Sequence, residues 1–211
     1  MTELFLVRHG ETEWNAGEIF RGRVDIDLSP VGRQQAELLA HYLKDIKLGT
    51  IFTSPLKRAL QTAQIIAAGR NSTPVETEPG LIDIDFGDWQ GMPRTEVEKK
   101  YAGLYIQWLR EPHRIRLSGG ESLDDVRQRA LKVVDNTVSK HNGTVVIVSH
   151  RVVIKVIILA LLGLANSCFW NIEVATCGLT IFRYASGRYI LTRHNDVSFL
   201  KPLMLKRPVD F

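Results

Sequence analysis

The chain has 211 residues, with 45% hydrophobic and 24% charged content. That suits a globular enzyme with an ample core and excludes a disordered or fibrous chain. The net charge of +4 and pI near 9.1 lean mildly toward anionic partners. Lys and Arg are scattered, however, and no basic stripe with interleaved aromatics speaks for nucleic acid.

Met1-Thr2-Glu3 runs straight into a strand-like segment, so no signal peptide is expected. Leu4-Phe5-Leu6-Val7 reads as a strand covered on both faces. Ser29-Pro30 offers a cap followed by proline at the first helical position, and Leu38, Leu39, Tyr42, Leu43 and Ile46 continue the stripe. Thr50 to Thr53 predicts a second strand. Ser54-Pro55 repeats the cap-plus-proline pattern and predicts a helix to about Ala68, and Glu76 to Glu78 a short third strand. From Asp83 to Gly120 the pattern breaks down, as for an excursion over a site rather than a core element. Ser122 then opens a helix, Thr144 to Val148 is a buried strand, and the apolar run from Val152 to Leu164 is a buried helix too short to span a bilayer. Leu179 to Tyr184 and Arg188 to Arg193, joined by Ala185-Ser186-Gly187, predict a hairpin.

Strands alternating with helices imply an α/β fold: a three-layer sandwich with a mostly parallel central sheet, helices on both faces and an antiparallel C-terminal addition. A single domain over 1–211 is expected, with 83–120 as an active-site excursion or lid. Cys168 and Cys177 have neither metal spacing nor a disulfide framework, which predicts free thiols and a cytoplasmic location. Ligands of such sheets bind beyond the carboxyl ends of the strands. Arg8-His9, Ser54 to Arg58 and Ser149-His150 each follow a strand, so these clusters are expected to meet in one cleft.

The segment Leu6-Val7-Arg8-His9-Gly10-Glu11-Thr12 closely resembles the signature of the histidine phosphatase superfamily, the phosphoglycerate-mutase-like proteins. Ser54-Pro55-Leu56-Lys57-Arg58 resembles that family's second motif and Val146-Ile147-Val148-Ser149-His150 its third, in the expected order along nearly the whole chain. The resemblance implies that His9 takes the phosphoryl group covalently, with Arg8, Arg58 and His150 forming the phosphate pocket, and that neither metal nor cofactor is required. The chemistry is consistent. A neutral imidazole can attack phosphorus, and phosphoryl transfer needs mostly positioning and neutralisation of spreading negative charge. Arginine suits the second task because its planar fork stays charged and donates parallel hydrogen bonds. Backbone N–H groups in the turn after His9 are expected to assist.

The leaving alkoxide needs a proton and a later water needs a base. The family commonly uses a glutamate, and Leu81 to Gly91 matches its segment, but Asp83 occupies the glutamate position and Asp85 is the rival. Asn15, Arg21 and Gly22 match positions that line the substrate side in the family. Arg21 either meets a second anionic group or is a solvated arginine beside Arg23. Arg151 stands where glycine is frequent, and Phe199, expected to be structural, where histidine is.

The stretch from Gly91 to Gly119 is short, and Gly119-Gly120-Glu121-Ser122 resembles the phosphatase branch. A phosphomonoesterase acting on a small phosphorylated metabolite is the leading expectation. A 2,3-bisphosphoglycerate-dependent mutase and a catalytically idle phosphate-binding scaffold remain alternatives. No membrane partner is expected, and a homodimer is compatible with the sequence.

Overall fold

The computed structural model describes residues 1–70 and 73–203. The last eight positions of the expected 1–211 domain, 204–211, lie outside the described residues. β1 (Thr2–Arg8) buries Leu4 and Leu6 on one face and Phe5 and Val7 on the other, so both sides of the strand need cover. A single turn, α1 (Glu13–Ala16), precedes α2 (Pro30–Tyr42), β2 (Leu48–Thr53), α3 (Lys57–Ala67) and β3 (Val75–Thr77). α4 (Arg94–Lys100), α5 (Ala102–Arg110), α6 (Leu123–Lys140), β4 (Gly143–Ser149), α7 (Arg151–Leu161), β5 (Leu179–Ala185) and β6 (Arg188–Asp196) follow.

The six strands form one sheet in the order β3-β2-β4-β1-β5-β6. The first four are parallel and the last two run antiparallel to their neighbours. Leu4, Leu6, Val145 and Ile147 face a core shared with α6 and α7, whereas Phe5, Val7, Val146 and Val148 face α2 and α3. This is the three-layer arrangement the alternation of elements implies. The hairpin turns through Ser186 (φ 52°) and Gly187 (φ 74°), a left-handed pair that matches the twist of its strands. Among the described residues no helix is long and apolar enough to cross a membrane.

Ser29 caps α2 as expected, its Oγ accepting from Gly32 N at 3.0 Å. The second cap-plus-proline expectation fails. α3 starts at Lys57 with Leu56 at its N-cap, while Ser54 Oγ lies 2.8 Å from His150 Nε2. The hydroxyl meets a buried imidazole and accepts from Leu56 N at 3.3 Å, instead of capping the first turn of α3.

Part of the 83–120 stretch is packed into the core. Trp89 and Trp108 are fully buried and join Ile84, Phe86, Val97 and Tyr105 in the cluster beneath α6 and α7. Their rings meet edge to face, with Phe86 and Trp108 centroids 5.6 Å apart. Irregular backbone can bury aromatics without a helical or strand period, which is why the sequence pattern hides this layer. Phe199 is structural as expected, stacking on Tyr42 at 4.9 Å.

Candidate active site

β4 lies between β1 and β2, pairing Arg8 with Ser149 and Thr53 with Val148. The three strands therefore end on one level, and Arg8-His9, Ser54 and Ser149-His150 converge there. The main chain is stitched across this edge by His9 N donating to Ser149 O at 2.9 Å and Ser54 N to Val148 O at 3.1 Å.

The turn after His9 is pressed against the start of α2. A Cβ on Gly10 would lie 2.4 Å from Gly32 O, and one on Gly32 would lie 2.0 Å from Glu11 O. Only this glycine pair permits the approach. The backbone N–H groups expected to assist at this turn are engaged elsewhere. Gly10 donates to Thr62 Oγ1, Glu11 to Gln35 Oε1 and Thr12 to Asn15 Oδ1. They fix the loop instead of facing the cleft. Thr62 and Gln35 carried no sequence signal for this task beyond being polar residues on buried helix faces.

His9 is buried, and its Nδ1 lies 2.6 Å from Gly10 O. A carbonyl oxygen can only accept, so Nδ1 carries the hydrogen and Nε2 keeps its lone pair. Burial first, then the charges of Arg58, Arg8 and Arg21, hold the His9 pKa well below the ordinary histidine value. The imidazole is neutral and has its basic nitrogen available. His150, whose ring centroid is 5.1 Å from that of His9, is held low by burial and then by Arg58. This environment makes it a neutral hydrogen-bonding ring.

Arg58 is fully buried on α3. It donates to Val24 O at 2.8 Å, Gly22 O at 2.7 Å and Asp83 Oδ2 at 3.1 Å. Arg8, also buried, donates through Nη1 to Val174 O at 2.6 Å. Asp83 Oδ2 faces His150 Nδ1 at 3.6 Å as well, whereas Oδ1 accepts from Ile84 N. The rival Asp85 points to other work: Oδ1 accepts from Gly87 N at 2.8 Å and Oδ2 lies 3.4 Å from Arg23.

An open cleft of about 340 Å³ lies over this floor. His9, Asp83, Arg21, Gly22 and Arg151 line it together with the apolar side chains of Ile19, Phe20, Phe86 and Val152. Arg21 is 9% exposed, and none of the described residues accepts from its Nε or Nη1. Gly22 takes φ +51°, a left-handed conformation that strains other residues, and a Cβ there would displace the Gln90 side chain, 2.2 Å from its Oε1. Asn15 is not among the lining residues; its amide oxygen accepts from both Thr12 N and Thr12 Oγ1 at 2.9 Å and closes the capping box of α1. Arg151 opens α7, whose N-terminus thereby meets the cleft with the favourable end of its dipole for an anion.

A second network was not anticipated. Arg129 of α6 donates to the carbonyls of Gly80, Ile82 and Asp83 and to both Glu121 oxygens. Glu121 in turn accepts from Asp85 N at 3.0 Å. The available signal was an arginine flanking the apolar stripe of Val126, Ala130 and Val133. Among the described residues no group of three His, Cys, Asp or Glu side chains could hold a metal ion.

The geometry agrees with comparison to known proteins. The chain is 38% identical over 196 residues to phosphoserine phosphatase 1 of Hydrogenobacter thermophilus, covering 92% of each. It superposes on Bacillus stearothermophilus YhfR with a TM-score of 0.91 at 33% identity, covering 95% of this chain and all of that one. It also matches phosphoserine phosphatase from Entamoeba histolytica, solved with 3-phosphoglyceric acid, with a TM-score of 0.82 at 35% identity and the same coverages. Residues 4–197 match the histidine phosphatase superfamily (branch 1), and the chain belongs to that family.

Proposed function

We propose that this chain is a phosphomonoesterase that hydrolyses small phosphorylated metabolites through a phosphohistidine on His9. The observation that carries the reading is the His9 ring itself, neutral, pinned by Nδ1–H to Gly10 O, and surrounded by Arg8, Arg58 and Arg21. A neutral imidazole among these cations is poised for an anionic electrophile.

In the first half-reaction the Nε2 lone pair forms the N–P bond while the ester P–O bond breaks. Asp83 passes a proton to the leaving alkoxide and is left as the carboxylate that pairs with Arg58. Arg8 and Arg58 offset the charge spreading over the equatorial oxygens, and His150 donates a hydrogen bond from a ring that Ser54 orients. In the second half-reaction the Asp83 carboxylate takes a proton from water, the water oxygen bonds to phosphorus, and the N–P bond breaks. Inorganic phosphate leaves with His9 neutral and Asp83 protonated again.

Asp83 is favoured over Asp85 because it lines the cleft and approaches both Arg58 and His150. In the same reading the chain works as one domain, with 83–120 contributing Phe86 to the cleft wall and its aromatics to the anchoring beneath. Water as acceptor is supported by the short connection from Gly91 to Gly119 and by the phosphatase names of two similar proteins.

Phosphate release from a panel of small monoesters, with a chelator present and His9→Ala as control, tests the function. The expected result is chelator-resistant release that the substitution abolishes. A requirement for a bisphosphate primer would support a mutase, and activity lost to the chelator would overturn the metal-free reaction.

A further inference from the structure

We propose that Gln90 is a positioning residue for phosphoryl transfer, because it holds by the N–H the same Gly22–Arg23 peptide that Arg58 holds by the carbonyl. The inference rests on the phosphoesterase reading for what Arg58 does, but its own basis is the geometry of one turn.

That turn is closed by Val24 N donating to Arg21 O at 3.0 Å, which puts the Gly22–Arg23 peptide at its centre. Gly22 is left-handed at φ +51° and Arg23 is not, the pattern of a primed turn with only its first central residue in that region. Rotating the central peptide converts one primed turn into the other and carries the carbonyl to the opposite side. Within the turn, only the left-handed φ then imposed on Arg23 opposes the rotation, and that cost is modest.

Both ends of the peptide are gripped from outside the turn. Arg23 N donates to Gln90 Oε1 at 2.6 Å. Gly22 O accepts from Arg58 Nη2 at 2.7 Å, and the same Nη2 lies 3.1 Å from Asp83 Oδ2. Val24 O takes Nη1 at 2.8 Å, so the turn sets the plane of the whole guanidinium. None of the described residues accepts from the buried Nε of Arg58. The bond to Gln90 also polarises the amide and strengthens its carbonyl as an acceptor.

Gln90 is itself well anchored. It follows the single helical turn Gly87–Trp89, whose Trp89 is buried in the aromatic core. Gln90 N donates to Gly87 O at 3.1 Å, and Gly91 N to Phe20 O at 2.8 Å. Its amide rests over Gly22, where the missing Cβ makes room for it. Gln90 is not among the residues lining the cleft, so its route to the reaction is through Arg58.

Two variants separate the hydrogen bond from the shape. Gln90→Met keeps the volume and removes the acceptor, while Gln90→Glu keeps an acceptor oxygen at the same reach. Each purified chain is titrated with orthovanadate, which mimics the transferring phosphoryl group, and assayed for steady-state phosphate release. Gln90→Met is expected to lower kcat by about ten- to a hundredfold with KM little changed, the scale of a small misplacement at a reacting centre. Vanadate affinity should fall by a similar factor, and Gln90→Glu should recover most of both. In the native chain, needing no substitution, the Arg23 amide should exchange with solvent more slowly than in an unstructured peptide. Native kcat and vanadate affinity in Gln90→Met overturn the proposal, as do equal losses in the two variants or an unprotected Arg23 amide. Vanadate binding that depends on Gln90, in a chain releasing phosphate from no monoester, would keep the positioning role and sink the hydrolase reading instead.

Discussion

The Asp83 carboxylate meets the fully buried Arg58 guanidinium at 3.1 Å, and the oxygen that makes this contact, Oδ2, is also the one that faces His150. Arg58 at the same time grips Gly22 O and Val24 O. One side chain thus joins the loop under the cleft to the proposed proton carrier, while Oδ1 is held by Ile84 N.

That arrangement separates the two aspartates. Asp83→Asn removes the transferable proton and is expected to lower kcat by about 10²- to 10⁴-fold, the span of general acid–base contributions. Asp85→Asn perturbs the loop contact with Gly87 and Arg23 and should cost far less. Steady-state rates on one substrate check the order, and a reversed order would transfer the role to Asp85.

Arg129 and Glu121 set where Asp83 stands. Arg129→Lys keeps the charge but loses the fork that spans three carbonyls and Glu121. The expected outcome is a kcat lower by about ten- to a hundredfold with KM little changed, because small displacements of a reacting group are costly. A fall confined to thermal stability, with kcat intact, would reduce Arg129 to a structural role.

The pH dependence follows from the two buried histidines. Burial is the first cause of both depressed pKa values, followed by Arg58. Unfolding returns each ring to its ordinary value, so below about pH 6.5 the unfolded chain takes up protons that the fold refuses. Unfolding free energy therefore falls as pH drops through that range and stays flat above it on account of these groups. Denaturant titrations between pH 5 and 8 read the slope. Nitrogen-15 NMR at neutral pH should show His9 as the Nδ1–H tautomer, and a doubly protonated His9 would contradict the assignment.

Gly32→Ala places a methyl 2.0 Å from Glu11 O, against backbone that cannot yield easily. A loss of about 1–3 kcal/mol in unfolding free energy is expected, the usual range for overpacking. Activity should fall as well, since the displaced loop carries His9.

The sequence made the strand ends legible because short apolar runs and the motifs that follow them are local signals. Leu4 to Val7 and Thr144 to Val148 needed no partner to be recognised. The placement of β4 between β1 and β2 is a long-range fact that no local pattern carries. Ser54 looked like a helix cap because that role is common, and only the tertiary position of His150 reveals the competing bond. The sequence pattern points Asn15 and the N–H groups after His9 toward the substrate, whereas their partners, Thr12, Thr62 and Gln35, lie beside them in space. The 83–120 layer escaped because its core is built from aromatics without periodicity.

The mechanism turns on a covalent phosphoryl group on His9. The most direct measurement is rapid mixing with a turned-over monoester, an alkaline quench that preserves phosphoramidate bonds, and peptide mass spectrometry. A transient phosphate is expected on the peptide containing Arg8-His9-Gly10, lost in His9→Ala and accumulated in Asp83→Asn when the leaving alcohol needs no proton. Turnover without phosphate on that peptide at any time, or phosphate on another residue, would contradict it.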